Sequence, residues 1–338
     1  MPVVLYTDPA WVIGPDGAVD CDRADVEREV YGTDIQMRFG PCRDGAFDVS
    51  GDAFLGALRG ADAVAIYRAQ ITQEVVDLLK PGCRVVARQG VGTDNLNAGL
   101  LERHGILGFH VPDYCVDEVS SHTVAMLLAL ERKLIAQDGL VKEGRWSIHA
   151  GGVPRRTGDL SVGIVGFGRI GRATSRKLQP LYRRVLAYDP YVHDDLMRGY
   201  GVQGRPSLAE LFFEADAVVL HAPLDDSTRH MINDMSLRPL RRGALLVNTA
   251  RGGLVQPEAV LERLRDGRLG GYGSDVFTPE NPCDHPVNKE ILTSPHTVVT
   301  AHRAFLSDAS ERSQRLRVAE EIRRVLLTGR PPLFGRLA

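Results

Sequence analysis

Residues 161–178 read SVGIVGFGRIGRATSRKL: an apolar strand-like run, glycines at 166, 168 and 171, then a helical pattern. The order strand, G-x-G-x-x-G, helix gives each glycine a task. Gly166 makes a tight turn, Gly168 lets a pyrophosphate approach the backbone, and Gly171 lets helix pack closely on strand. The helix start adds N–H groups without intrahelical partners and the positive end of the helix dipole. A glycine-rich turn alone is common. Here the next strand, VLAYD, ends in Asp189, 18 residues after Gly171. A carboxylate at that spacing accepts from adenosine ribose hydroxyls and repels a 2′-phosphate. The plainer reading of Asp189 is a solvated turn acid beside Pro190. The spacing favours a dinucleotide site, and NAD over NADP.

The same alternation extends to both sides. Before the glycine segment come VVLYTD, FLGALRG, ADAVAIYR, TQEVVDLLK, CRVVARQG, NAGLLERHG and ILGFHVP; after it come VLAYD, ADAVVLHA, ALLVNTA, GGYGSDVF and TVVTAH. Short β-rich runs alternating with amphipathic ones predict βαβ units and parallel sheets, hence two α/β lobes. Between them, DEVSSHTVAMLLALERKL reads as a bridging helix with Asp117 as N-cap and Val119, Val124, Leu127, Leu128 and Leu134 as its apolar stripe. The following KEGRWSIHAGGVPRRTGD has no period and reads as a surface loop. The last helix, DASERSQRLRVAEEIRRVLLTG, is expected to stop at Gly329, before Pro331.

A chain of 338 residues has room for about two domains. Its apolar and charged fractions, 43% and 25%, are globular. With 41 basic against 43 acidic residues and no basic tail, neither nucleic acid nor an anionic membrane is an expected partner. Five widely spaced cysteines without a CxxC argue against a disulfide framework or zinc site and fit a reducing cytosol. The N-terminus lacks the pattern of a signal peptide and no run is apolar enough to span a membrane, so a cytoplasmic location is expected. Glu118 and His122, one helical turn apart near Cys115, lack further ligands at standard spacing, so no metal is expected.

In VNTARGGLV (247–255) an apolar strand ends by placing Arg251 before two glycines. A planar, forked, permanently charged guanidinium suits a carboxylate at the mouth of a sheet better than a core. With HAPLDDST (221–228), SDVFTPEN (274–281) and VVTAHRAF (298–305), this motif resembles, in order and spacing, the D-isomer-specific 2-hydroxyacid dehydrogenase family across nearly the whole chain. The C-terminal tail, VPDYCVDEVSSHTVAMLLAL and Phe305 resemble most its branch related to the C-terminal-binding-protein corepressors.

The resemblance implies two Rossmann-like or flavodoxin-like lobes with parallel sheets and an interdomain cleft. Residues 1–115 and 303–338 would form a discontinuous substrate-binding domain, and 116–302 the NAD-binding Rossmann domain. It implies NAD(H)-dependent reduction of a 2-oxo acid to the D-2-hydroxy acid, with Arg251 on the substrate carboxylate, Glu280 paired with histidine, and His302 as proton donor and acceptor. The chemistry agrees: the carbonyl needs one proton as charge builds on its oxygen, and a carboxylate beside His302 would hold an imidazolium ready to donate. His296 in TSPH is the rival histidine, but it precedes the strand TVVT that should lead into the catalytic one.

Cofactor contacts implied by the resemblance are Arg169 and Ile170 at the pyrophosphate, Pro190 beside Asp189, His221, Ala222 and Pro223 with Thr228 in the next loop, and Thr249 and Ala250 near the nicotinamide. Asp275 at the carboxamide, Arg251 and His302 complete them. For the substrate it implies backbone amides near Val91 and Gly92 in RQGVGTDNLN, with Asn95 supporting the turn, Arg68 at the distal end, and Phe305 as an apolar wall. If Arg68, Arg303 and Arg88 converged, a second anionic group would follow; at least two solvated side chains is the plainer expectation. A homodimer through the bridging-helix region is also implied, with which the apolar VAMLLAL face is compatible.

Two departures stand out. Thr300-Ala301-His302 replaces the usual Thr-Pro-His, followed by Arg303, and loss of the proline is expected to loosen the histidine loop. Tyr182 stands where the family usually has glycine, a matter of packing and helix termination. Two further readings stay open: an NAD(H)-sensing corepressor-like binding protein with little turnover, and a biosynthetic reductase for a phosphonate, phosphate or aryl 2-oxo acid.

Overall fold

The structure, a computed structural model, describes residues 1–79 and 81–337. Lys80, the end of TQEVVDLLK, and Ala338, the end of the expected substrate-binding domain, lie outside the described residues. The chain divides into two compact units, Met1–Tyr114 with Ser307–Ala338, and Cys115–Leu306.

In the first unit the strands are β1 (Val3–Tyr6), β2 (Gln36–Phe39), a hairpin of β3 (Cys42–Arg43) and β4 (Ala46–Phe47), β5 (Ala63–Ile66), β6 (Val85–Arg88) and β7 (Leu107–His110). Five form a parallel sheet in the order β2-β1-β5-β6-β7. β5 and β6 are buried throughout, as befits parallel strands covered on both faces. Phe54, Leu58, Val75 and Leu101 cover one face. On the other, the helix Asp308–Thr328 contributes Val318, Ile322 and Val325. That helix opens on a capping box between Ser307 and Ser310, and Gly329 ends it at φ 68°.

In the second unit the strands are β8 (Ser161–Val165), β9 (Arg184–Tyr188), β10 (Gln203–Gly204), β11 (Ala217–Leu220), β12 (Ala244–Asn248), β13 (Leu269–Ser274) and β14 (Thr297–Val299). They form one parallel sheet in the order β10-β9-β8-β11-β12-β13-β14. Strand order reverses between β8 and β11, and ligands of such sheets bind beyond the carboxyl ends of strands at that switch point. SVGIV is buried throughout, and the glycine turn follows it directly.

The bridging helix differs from expectation. It runs Val116–Glu131 with Cys115 as N-cap, so Asp117 falls in its first turn. Lys133, at φ 55°, breaks the run, and exposed Leu134 opens a second helix, Leu134–Lys142. Met126, Leu127 and Leu130 are buried with Val162 and Leu178. Much of the VAMLLAL face is therefore spent on the unit's own core and is not available to a partner. Tyr182 also packs there, and its hydroxyl donates to Glu131 Oε2 at 2.5 Å. The side chain that replaces glycine thus satisfies a buried carboxylate, and burial drives the phenol pKa upward.

Candidate active site

The glycine turn shows two different surroundings for a missing Cβ. Gly166 has φ 91°, and a Cβ there would lie 2.6 Å from Ala222 N and 2.7 Å from His221 C. A Cβ on Gly171 would lie 2.1 Å from Gly166 O. Both positions are closed by packing. Gly168, the N-cap of the helix Arg169–Leu178, is exposed, with nothing within 4 Å of its Cβ position. Open space at the N-cap of a helix whose first residues are Arg169 and Ile170 suits an anion such as a pyrophosphate. At the end of β9, Asp189 Oδ2 accepts from Phe167 N at 2.7 Å and Oδ1 from Tyr191 N at 2.9 Å, which fixes the carboxylate beside the turn. Pro190 is exposed next to it.

After β11, His221 N donates to Val165 O, and its Nε2 lies 3.0 Å from Thr174 Oγ1. Burial pushes the His221 pKa down to about 3, so the ring stays neutral near pH 7. Ala222 is buried, and Thr228 closes the following loop by donating to Pro223 O at 2.8 Å.

Arg251 sits on a turn that Asn248 organises. The fully buried Asn248 side chain accepts from Ala250 N at 3.0 Å and donates to Arg251 O at 2.8 Å. Thr123 donates to Val119 O, so the 2.7 Å contact between the two hydroxyls makes Thr249 the donor to Thr123. A Cβ on Gly252 would lie 2.2 Å from the Phe277 carbonyl carbon. Glycine after Arg251 thus lets the Arg251 turn press against the segment that leads from β13 to Glu280.

His302 Nδ1 lies 2.5 Å from Glu280 Oε1, and the Phe305 ring stands edge-on to the imidazole at 6.4 Å between centroids. Asn288, buried, donates to Thr278 O and steadies the turn before Glu280. His296 lies exposed ahead of β14, so the histidine paired with Glu280 is His302. His302 adopts φ 49°, uncommon for a non-glycine residue though less so for histidine. The loosening expected from Ala301 is countered by Asp275. Its carbonyl accepts from His302 N at 2.7 Å, and its buried carboxylate accepts from Arg303 N and Ala304 N, each at 2.9 Å. The Asp275 carboxylate is thus engaged by the histidine loop, and the Arg303 side chain is exposed.

Asn248, Thr300 and His122 were not singled out as parts of this site by sequence reasoning. Asn248 carried a readable signal, a polar residue closing an otherwise apolar strand, since a buried amide demands partners. His122, weighed above for a metal, instead lies 3.0 Å from Thr300 Oγ1. Among the described residues no cluster of three metal-ligating side chains occurs.

In the first unit, Asp8 is fully buried and accepts from Tyr67 N, Arg68 N and, at 3.2 Å, Arg68 Nε, so the half-exposed Arg68 is held at the end of β5. Arg88 is buried over the Tyr67 ring, 5.2 Å from its centroid. Asn95 donates to Tyr67 O and Ala69 O, tying the loop of Val91 and Gly92 to the Tyr67 segment.

A family model described as D-isomer specific 2-hydroxyacid dehydrogenase, NAD binding domain, matches residues 124–304. The chain belongs to the D-isomer-specific 2-hydroxyacid dehydrogenase family. Over 260 residues it is 34% identical to 2-hydroxyacid dehydrogenase A of Aspergillus oryzae, covering 73% of this chain and 74% of that protein. It is 28% identical over 276 residues to D-3-phosphoglycerate dehydrogenase of Methanocaldococcus jannaschii, covering 81% of this chain but only 52% of that longer relative. The fold is shared with D-lactate dehydrogenase from Aquifex aeolicus complexed with NAD and lactic acid, at TM-score 0.83 and 24% identity over 96% of this chain and 95% of that one. The protein is accordingly an NAD-dependent oxidoreductase acting on the CH–OH group of 2-hydroxy acids. The space at Gly168 and the fixed carboxylate of Asp189 fit that cofactor.

Proposed function

We propose that this dehydrogenase interconverts a 2-oxo acid and the D-2-hydroxy acid with Arg251 holding the substrate carboxylate, His302 exchanging the proton of the C2 oxygen, and Glu280 orienting His302. The observation that carries this reading is the 2.5 Å contact between His302 Nδ1 and Glu280 Oε1. With Nδ1 engaged by a carboxylate, proton exchange falls to Nε2, and the contact holds the ring in one orientation for it. NAD(H), when bound, supplies or accepts the hydride. Arg251 offers a forked donor set that matches a carboxylate and polarises the neighbouring carbonyl. Asp189 keeps lone pairs for the ribose hydroxyls while both its oxygens are fixed by backbone N–H groups.

In the first unit, the amides of Val91 and Gly92 and the side chain of Arg68 are the candidates for further substrate contacts; in the second, Phe305 is the candidate apolar wall. Five free cysteines suit a reducing cytosol, and among the described residues no helix is long and apolar enough to cross a membrane. A homodimer is the assembly we infer, because the helix Leu134–Lys142 buries none of its residues within the protomer.

The test is NADH oxidation against glyoxylate, hydroxypyruvate, phenylpyruvate and phosphonopyruvate, with His302→Asn and Arg251→Lys beside the wild type. His302→Asn is expected to cut turnover by at least about a hundredfold with NADH affinity little changed. Arg251→Lys should chiefly raise KM for the 2-oxo acid. Near-normal turnover in His302→Asn would remove His302 from the chemistry.

A further inference from the structure

The 300–304 loop is wired to a residue far away in sequence. Thr300 Oγ1 lies 2.5 Å from Asp275 Oδ1 and 3.0 Å from His122 Nε2, a residue 178 positions earlier on the bridging helix. A hydroxyl has one proton. Asp275 Oδ1 also takes Arg303 N, and Oδ2 takes Ala304 N, so this carboxylate acts as acceptor throughout and Thr300 is its donor. Thr300 Oγ1 must then accept from His122 Nε2–H. The polarity of the chain is fixed: His122 donates to Thr300, Thr300 to Asp275, and the Asp275 carboxylate and carbonyl receive the backbone N–H groups of 302, 303 and 304.

This wiring ends on a strained residue. His302 holds a left-handed backbone, and such conformations persist only where the surroundings over-determine them. With alanine at 301, no proline ring stiffens the approach to His302, so the turn depends on its hydrogen bonds. Asp275 supplies three of them, and its own orientation is set from the far side by Thr300 and His122.

We propose that His122 is a positioning residue for the reaction, acting through Thr300 and Asp275 to hold the turn that presents His302. The proposal rests on His302 being the acid–base group. His122 itself touches neither substrate nor cofactor in this scheme. A histidine present only as filler would be replaced without kinetic consequence by an apolar side chain of similar size. A donor in the chain is replaceable only by another donor at the Nε2 position, which glutamine provides.

The experiment compares His122→Leu, His122→Gln, Thr300→Val, the double variant His122→Leu/Thr300→Val and His302→Asn in the full-length protein. It follows NADH oxidation with glyoxylate or phenylpyruvate, whichever is turned over faster, NADH binding by fluorescence, and thermal melting. His122→Leu and Thr300→Val should each lower kcat by roughly ten- to a hundredfold, the scale of a misplaced catalytic group. NADH affinity should change by no more than about twofold, since the glycine turn and the Asp189 carboxylate, outside this chain of hydrogen bonds, are left intact. The double variant should be no worse than the poorer single one, because both break the same chain. His122→Gln should recover most of the lost kcat. Wild-type kcat in His122→Leu, multiplying losses in the double variant, or a glutamine variant as impaired as the leucine one would overturn the proposal. Where His122→Leu does not fold, Thr300→Val and His122→Gln decide: loss in the first with retention in the second supports the chain, and the reverse refutes it. Full turnover in His302→Asn would instead defeat the underlying acid–base assignment, whereas an inactive His302→Asn beside a normal His122→Leu defeats only the role of His122.

Discussion

Asp189, Asn248 and Asp275 share one device at the residue scale. Each lies at or just past the end of a parallel strand and accepts backbone N–H groups from a nearby loop: Phe167 and Tyr191 for Asp189, Ala250 for Asn248, Arg303 and Ala304 for Asp275. Side chains therefore fix the turns on which the proposed chemistry rests. His221 adds a testable cost to this edge of the sheet. Its pKa falls from an ordinary 6.5 to about 3 through burial. Between those values the unfolded chain binds a proton that the folded chain refuses, so stability rises with pH across that window and levels off above about 6.5. Acidification from pH 7.5 to 4.5 should thus cost the wild type more stability than His221→Gln, which keeps a polar group toward Thr174 without titrating. Urea unfolding at the two pH values measures the difference, and equal losses would show that His221 is not held neutral by the fold. The catalytic residues proposed from sequence, Arg251, Glu280 and His302, sit in local motifs. His122 and Thr300 stayed hidden as a pair because spacing and periodicity carry no information about partners 178 residues apart.

At the scale of elements, Gly171 and Gly168 separate packing from ligand binding. Gly171→Ala drives a Cβ into Gly166 O, 2.1 Å away, so helix 169–178 must move off β8. A loss of about 1–3 kcal/mol is expected, the usual scale for overpacking, together with weaker NADH binding. Gly168→Ala meets open space and has φ −72°, so it should leave the melting temperature nearly unchanged while reducing NADH affinity. Melting curves and NADH titrations of both variants test this. Equal destabilisation would refute the distinction. The buried strands were legible because parallel strands covered on both faces read as continuous apolar runs. The segment of residues 8–53 was less so: β2 is a short edge strand, QMRF, only partly covered. The end of the bridging helix was missed because its pattern continues through Leu134, while one left-handed residue, Lys133, turns the chain.

For the whole molecule, the family model matches residues 124–304, inside the second unit, while the relative of 34% identity matches 73% of the chain and so reaches into the first as well. The corepressor branch rests on sequence phrases alone. What the second unit leaves exposed bears on assembly. Within residues 134–153, Leu134, Ile135, Trp146, Ile148 and Val153 are 55%, 57%, 87%, 86% and 72% exposed. Apolar side chains this large, gathered in one stretch, mark an interaction surface. A nine-residue helix without a buried face is also marginal by itself. Because the VAMLLAL face is largely committed to the core, we propose this later segment as the surface that a second copy covers. Light scattering on the purified protein should give twice the protomer mass of 37.0 kDa. Trp146→Ser combined with Ile148→Ser should shift the population toward monomer while leaving NADH binding intact, because neither residue lies near the glycine turn in sequence or is committed to a core. A wild-type monomer at micromolar concentration would contradict the dimer, and an unchanged dimer in the double variant would move the interface elsewhere on the chain.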